Sequence, residues 1–198
     1  NPSGTAVHSL YVFSSNPAIT APDQNVVRNG LMRDDLFTVV HERFFTDTCK
    51  YADIILPATT SVEHDDIYNS YGHYTIGTGY KLIDPVGESR SNWQVISELA
   101  KRMGLQDEFF NLSARELIEQ IVRTSSRISE VDQDVILQGE PVEMTLPENY
   151  KLDFKTPSRK IELYNPHDVE PLIRYLPPYG DDAPFWLVIG NDIRILDS

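Results

Sequence analysis

The sequence predicts an α/β fold of the Rossmann-like, doubly wound type, with a mostly parallel sheet and helices on both faces. Three apolar runs, His8–Phe13, Phe37–Val40 and Ile54–Leu56, have the length and composition of buried strands. Helical stretches separate them, and apolar strands that alternate with helices are typical of a parallel sheet. We expect this domain to span residues 1–140, and an irregular extension with short strands to span residues 141–198.

The elements between and after these strands follow from local signals. The first strand ends in a polar turn, Ser14–Pro17, and Pro22 then favours a helix to about Arg33, because proline fits the first helical turn. A short helix over Thr46–Ala52 connects the second strand to the third. The segment Tyr68–Asp84 contains three glycines and four tyrosines without a helical period, which favours a hairpin or an irregular excursion.

Two later helices carry their own start signals. Ser91–Gln94 and Ser113–Glu116 both have the pattern of a capping box, in which the side chains of the first and last residues bond each other's backbone. Apolar residues at helical spacing follow each box, and Gly104 ends the first of the two helices. Proline becomes frequent after Pro141, so we expect loops and short strands there.

Composition limits the classes of partner. The chain has 198 residues and a net charge of −13, so it lacks the basic surface that nucleic acids or anionic membranes require. No apolar run reaches the roughly 18 residues of a membrane-spanning helix. A single cysteine excludes an internal disulfide and an iron–sulfur cluster held by this segment alone. We expect a soluble chain, and the sequence leaves the cytoplasm and the periplasm of a prokaryote equally open.

Polar residues follow the predicted strands at their carboxyl ends, where open α/β sheets bind ligands. The Gly-x-Gly-x-x-Gly loop of an ordinary dinucleotide-binding domain is absent. We expect four segments to converge at this edge of the sheet. They are Ser14–Asn16, His41–Glu42, Pro57–His64 and Ser91–Trp93.

One long stretch carries a family resemblance. Glu42–Pro57 contains an acidic residue, a hydroxyl-rich helix start and the run Ala-Asp-Ile-Ile-Leu-Pro, in that order. It resembles the molybdopterin oxidoreductases of the dimethyl-sulfoxide-reductase family, which carry Asp-x-Phe-x-Thr-Glu-Thr followed by Ala-Asp-x-x-Leu-Pro. The resemblance covers Leu10–Gly104 and resumes at Phe154–Tyr164. Residues 186–190 and 194–198 resemble the opening of a following domain that is soon cut off.

The resemblance implies an internal fragment of the catalytic subunit of a redox enzyme, inactive by itself. Its cofactor would be a molybdopterin guanine dinucleotide with molybdenum or tungsten, and this domain would clasp the guanosine nucleotide. The metal ligand and any iron–sulfur cluster would lie elsewhere in the parent protein. The implied partners are the remaining domains of the same polypeptide and electron-transfer subunits. Apolar surface left bare in the fragment would favour self-association.

The resemblance also assigns cofactor contacts by position. Asn16 would contact the nucleotide from the turn after the first strand, and Glu42 would accept bonds from the ribose hydroxyls. His41 precedes Glu42 in a pair of polar residues that the family uses, while His64 and Asn92 occupy two further contact positions. From the residues alone, Asn16 could also be an ordinary turn residue and Glu42 a solvated charge.

Asn92 departs from the family pattern, because relatives commonly have aspartate there. A carboxylate accepts bonds from guanine N1 and N2 together, whereas an amide has a single acceptor oxygen. Losing one charge-assisted hydrogen bond would weaken nucleotide binding by about 1.5–3 kcal/mol. A second departure is that Asp65 or Asp66 stands where many relatives have glycine.

Asn92 keeps a second hypothesis open, that of a degenerate or stand-alone α/β interaction module that has lost the cofactor. Asn16, Glu42 and the Leu56–Pro57 motif favour nucleotide binding instead. A metal site around His64 is disfavoured because the nearby histidines and carboxylates lack the usual ligand spacing. Cys49 is expected to be a small buried side chain.

Overall fold

The computed structural model describes residues 4–69, 71–128, 130–146 and 150–166, together with Leu172. The chain divides into two compact units, and the division falls after Met144. The assignment of residues 1–140 and 141–198 to different roles stays a prediction. The predicted opening of a following domain at residues 186–198 lies outside the described residues.

A parallel sheet forms the first layer of the larger unit. Its strands, β1 (Ser9–Phe13), β2 (Phe37–Glu42) and β3 (Ile54–Pro57), are hydrogen-bonded in the order β1-β2-β3. Val40 of β2 is in register with Val12 of β1 and with Ile55 of β3. The carboxyl ends of all three strands therefore meet at one edge, and the predicted α/β fold is confirmed.

The connection between β1 and β2 contains two helices, α1 (Pro17–Thr20) and α2 (Gln24–Leu31), where the sequence predicts one. Pro22 lies between them and starts neither. Asp23 has a left-handed φ of 53°, and its side chain accepts a hydrogen bond from the backbone of Val26, so it caps α2. This cap sets the helix start, and the prediction of a start at Pro22 is wrong.

The connection between β2 and β3 is a 3-10 helix, Asp47–Tyr51, close to the predicted Thr46–Ala52. Cys49 in this helix packs with Val12 and Val40 in a small buried cluster. The predicted structural role of the cysteine as a small buried side chain is confirmed.

A second, antiparallel sheet follows. It consists of β4 (Asp66–Asn69), β5 (Thr75–Gly79) and β6 (Val142–Glu143), with β5 in the centre. The predicted hairpin is thus confirmed. Gly79 leaves room for the ring of Tyr68, because a Cβ atom on Gly79 would lie 2.6 Å from Cε2 and the ring would have to shift.

Three further α-helices follow in the described residues of this unit: α3 (Asn92–Arg102), α4 (Ala114–Thr124) and α5 (Gln133–Leu137). Two short 3-10 helices, Glu108–Asn111 and Ser126–Ile128, precede and follow α4. Both predicted capping boxes are present, at the starts of α3 and α4. None of the helices in the described part of the chain is long and apolar enough to cross a membrane. A buried cluster joins α4 and α5, and its members are Ile118, Val122, Ile128 and Ile136.

Helix α3 leaves an apolar groove of about 590 Å³ between itself and the sheet. Phe37 and Ile54 from the sheet and Leu99 from α3 line the groove and are exposed. The face of α3 that the periodicity predicts to be buried is therefore largely open, although Ala100 is buried.

Candidate functional site

A polar cavity of about 200 Å³ lies at the carboxyl ends of the parallel strands. Ser14 directly follows β1, Glu42 is the last residue of β2, and Thr59 follows β3 by two residues. The volume is below the roughly 300–1,000 Å³ of typical small-molecule sites, so the cavity suits part of a larger ligand. Its other lining residues are Arg43, Ala58, Ser61, His64, Asp66, Tyr68 and Asn92.

Ser14 reaches the cavity because the backbone turns sharply at the end of β1. Its φ is 47°, in the left-handed region that few residues other than glycine adopt. Ser14 lines the cavity in this conformation, and such strained positions concentrate at ligand sites.

Glu42 is the main acceptor in the cavity wall. Only 5% of the residue is exposed, and Oε1 accepts a hydrogen bond of 2.7 Å from the backbone of Arg43. Nε of Arg43 lies 3.8 Å from the same oxygen. The other oxygen, Oε2, is buried and has no hydrogen-bond partner among the described residues. A buried carboxylate oxygen without a donor is costly, so a hydroxyl group from a ligand would stabilise this site.

His64 connects two other walls of the cavity. Its Nδ1 is 2.9 Å from Oγ1 of Thr59, and its Nε2 is 3.6 Å from Oδ2 of Asp66. The second distance is too long for a hydrogen bond but is within ion-pair range if the imidazole is protonated. The other Asp66 oxygen, Oδ1, accepts a bond of 2.8 Å from the backbone of Ile67.

Tyr68 extends the same wall along β4. Partial burial raises the pKa of the Tyr68 phenol above 10.0, and the negative charge of Asp66 raises it further. The phenol therefore stays protonated at neutral pH and can donate or accept a hydrogen bond.

Asn92 closes the cavity from the start of α3. Ser91 caps this helix by accepting a bond from the backbone of Gln94, and Asn92 is the first helical residue. The Asn92 side chain is exposed and makes no hydrogen bond to any described residue. The partial positive charge of a helix N-terminus favours an electron-rich ligand group here.

Asn16 lies behind the cavity and does not line it. Only 1% of the residue is exposed, and its Oδ1 accepts bonds from the backbone N–H and the hydroxyl group of Thr48, at 3.2 and 2.8 Å. The Thr48 hydroxyl in turn accepts a bond from the backbone of Ala18. Asn16 therefore ties the turn after β1 to the 3-10 helix after β2.

His41 is also buried behind the site. Its Nε2 donates to the carbonyl oxygen of Arg90 over 3.1 Å, and its Nδ1 has no partner among the described residues. The Arg90 backbone continues the sheet beyond β3 through a parallel bridge to Ala58. Because Asn92 follows two residues later, His41 helps to position the start of α3 at the cavity.

Glu63 fixes the loop between β3 and β4 that contributes Thr59 and His64. Its Oε2 accepts bonds from the backbone and the hydroxyl group of Thr60, at 2.6 and 2.7 Å, and its Oε1 accepts one of 2.8 Å from the backbone of Val86. The Thr60 contacts, followed by the Val86 contact, lower the pKa of the Glu63 carboxyl group.

The structure thus brings Glu42, His64 and Asn92 together and places Asn16 and His41 behind them. Sequence reasoning did not assign Arg43, Asp66 and Tyr68 to the site. Arg43 could have been found because it directly follows a strand end. Asp66 and Tyr68 belong to the antiparallel hairpin, whose approach to this edge has no signal in the sequence. The described residues contain no group of three histidine, cysteine, aspartate or glutamate side chains arranged to hold a metal ion.

Comparison with known proteins identifies the class. Residues 1–102, more than half of the chain, match the family described as molybdopterin oxidoreductase, and the chain belongs to that family. It is 37% identical over 200 residues to the probable oxidoreductase YoaE of Bacillus subtilis (strain 168). The aligned region covers 97% of this chain and 29% of the relative. The assimilatory nitrate reductase catalytic subunit of the same bacterium is 31% identical over 134 residues, covering 67% of this chain and 18% of the relative.

A solved structure supports the same conclusion. The acetylene hydratase from Pelobacter acetylenicus resembles this chain with a TM-score of 0.69 and 26% sequence identity. The match covers 90% of this chain and 25% of the hydratase. The chain spans less than a third of the length of each of these three proteins.

Proposed function

We propose that this chain binds the guanosine nucleotide of a molybdopterin guanine dinucleotide cofactor, as part of a longer redox enzyme. The observation that carries the proposal is Glu42, a buried carboxylate that lines a polar cavity at the carboxyl ends of three parallel strands. Its Oε2 has no hydrogen-bond donor among the described residues. Ribose hydroxyl groups are the donors that an acidic residue at a strand end receives in nucleotide-binding α/β domains.

The cavity residues fit the polar end of such a cofactor. Glu42 would accept from the ribose, Asn92 would meet the base, and Arg43 offers a cation to a phosphate group. When the cofactor is bound, its metal and pterin supply the two-electron or oxygen-atom transfer, while the protein binds and orients them. The residues of this chain would act by holding the nucleotide in one position and by excluding water from the Glu42 carboxylate.

The second candidate is an interaction module that no longer binds nucleotide. It is favoured by one observation, the amide of Asn92 in place of the carboxylate that the family resemblance leads us to expect. The two candidates differ in a directly measurable property, the affinity of the chain for guanosine monophosphate.

Calorimetric titration of the chain with guanosine monophosphate tests the proposal. We expect saturable binding, and we expect Glu42→Gln to weaken it by about 1.5–3 kcal/mol, roughly 10- to 150-fold, because a charged acceptor is lost. Glutamine retains the oxygen that accepts from the Arg43 backbone, so the fold should be preserved.

Glu119→Gln is the matched control, because Glu119 is exposed on α4 and does not line the cavity. It removes the same charge and should leave the affinity unchanged. Absence of detectable binding at millimolar nucleotide would refute the proposal and leave the interaction module as the better explanation.

A further inference from the structure

We propose that Asp66 selects guanine at this site, by accepting hydrogen bonds from N1–H and the 2-amino group of the base. The inference rests on the proposed function, because it names the residue that reads the base of the bound nucleotide. The juxtaposition behind it is that Asp66, Tyr68 and Asn92 line the same cavity as Glu42, whose Oε2 has no donor among the described residues.

The two carboxylates of the cavity differ in their surroundings. Glu42 is almost fully buried, which suits a fixed contact with one part of the ligand. The Asp66 side chain is half exposed, and Nε2 of His64 lies 3.6 Å from its Oδ2, beyond hydrogen-bond distance. Asp66 therefore offers an acceptor oxygen that no hydrogen bond within the described residues occupies.

The neighbouring Asp65 is already engaged. Its Oδ1 accepts a bond of 2.7 Å from the backbone of Lys81, and its Oδ2 lies 3.6 Å from Nε of Arg115. Asp65 does not line the cavity. Of the two adjacent aspartates, only Asp66 is placed to meet a ligand.

Base chemistry then favours guanine. Its N1–H and 2-amino group are adjacent donors that the two oxygens of a carboxylate can accept together. Adenine presents an acceptor at N1, which a carboxylate repels, and hypoxanthine lacks the 2-amino group. The exposed amide of Asn92 adds a donor that can reach the O6 acceptor of guanine, so the residue is useful to the site as an amide.

Tyr68 supplies an apolar surface next to these polar groups. Asp66 and Tyr68 are two residues apart on β4, so both side chains point to the same face of the strand. The tyrosine ring packs over Gly79, where no side chain displaces it. The aromatic ring can stack on a nucleobase while the neighbouring carboxylate contacts the edge of that nucleobase.

The test compares three nucleotides, guanosine, inosine and adenosine monophosphate, by calorimetric titration of the whole chain. We expect the wild type to bind the guanosine nucleotide at least roughly tenfold more tightly than the inosine nucleotide, since one charge-assisted bond is lost with the 2-amino group. Asp66→Asn should reduce that ratio to near one. Asparagine keeps the oxygen that accepts from Ile67, which preserves the start of β4.

Asp65→Asn is the matched control, because it removes an equal charge one residue away and outside the cavity. It should retain the wild-type ratio. As a second variant, Asp66→Ala should lose the ratio as Asp66→Asn does, and circular dichroism should show that both variants remain folded.

The outcomes separate the two levels of the proposal. If the guanosine nucleotide binds and Asp66→Asn retains the wild-type ratio, Asp66 does not read the base, while the proposed function stands. Equal affinity of the wild type for the guanosine and inosine nucleotides would also overturn the role of Asp66. If the wild type binds none of the three nucleotides, the proposed function fails together with this inference.

Discussion

At the scale of single residues, the amide of Asn16 serves the protein itself. Its oxygen accepts two hydrogen bonds from Thr48, and only 1% of the residue is exposed. The residue couples the turn after β1 to the 3-10 helix after β2, and both segments lie next to the strand ends that form the cavity.

We expect Asn16→Ala to lower the free energy of unfolding by about 1–3 kcal/mol, because two buried donors of Thr48 lose their acceptor. Urea unfolding followed by circular dichroism measures the change. Asn25→Ala makes the same replacement at an exposed position of α2 and should alter stability far less. Equal stability of the two variants would contradict the structural role of Asn16.

The sequence allowed part of the site to be predicted, and strand geometry explains the division. Glu42 was predicted at a strand end and Asn92 at a helix start, and both line the cavity. His41 and Glu42 were assigned together, but successive side chains of a strand point to opposite faces. Only one of the pair can face a given cavity, and the buried contact of His41 with the Arg90 carbonyl shows which one does not.

At the scale of elements, the loop from β3 to β4 depends on the ionised form of Glu63. In the folded chain its carboxylate accepts three hydrogen bonds, which hold the pKa of the carboxyl group below its ordinary value of 4.5. The stabilisation is therefore fully present above the unfolded pKa and is lost as the pH falls through the lower, folded pKa.

We expect the urea midpoint of the wild type to decrease as the pH is lowered from 5. The midpoint of Glu63→Gln should decrease less, because the titrating group is absent. Unfolding curves at a series of pH values measure this difference. Glu119→Gln, at an exposed position of α4, should behave as the wild type does. Identical pH profiles for the wild type and Glu63→Gln would exclude this role of Glu63.

Element starts were predictable where the signal is a local hydrogen bond. The capping boxes at Ser91 and Ser113 are present as predicted, because both partners of each bond lie within four residues. The predicted start of α2 at Pro22 is wrong because Asp23 adopts a left-handed backbone conformation and caps the helix with its side chain. In this helix the capping side chain of Asp23, and not the adjacent proline, marks the start.

At the scale of the whole molecule, the groove beside α3 leaves apolar side chains exposed. Phe37, Ile54 and Leu99 contribute to a surface that soluble monomers usually cover. Periodicity predicts the apolar face of α3, but it cannot tell whether other parts of the chain cover that face.

We expect the chain to self-associate through this groove as its concentration rises, and Leu99→Lys to weaken the association by placing a charge in the groove. Sedimentation velocity over a range of concentrations measures it. Val26→Lys is the matched control, because Val26 is exposed on α2 and does not line the groove. A wild type that sediments as a single monomeric species at high concentration would rule out this association.

The Oε2 of Glu42, unpaired among the described residues, also connects ligand binding to the resistance of the protein to unfolding and proteolysis. On the proposed function, a nucleotide that donates to this oxygen would bind only the folded chain, so the free energy of unfolding would increase with nucleotide concentration. Loaded molecules should then resist proteolysis, while empty ones open more often and are degraded first. On the proposed function, this difference in proteolytic resistance would enrich the cofactor-bound enzyme in a cell, because the cofactor-free form is degraded faster.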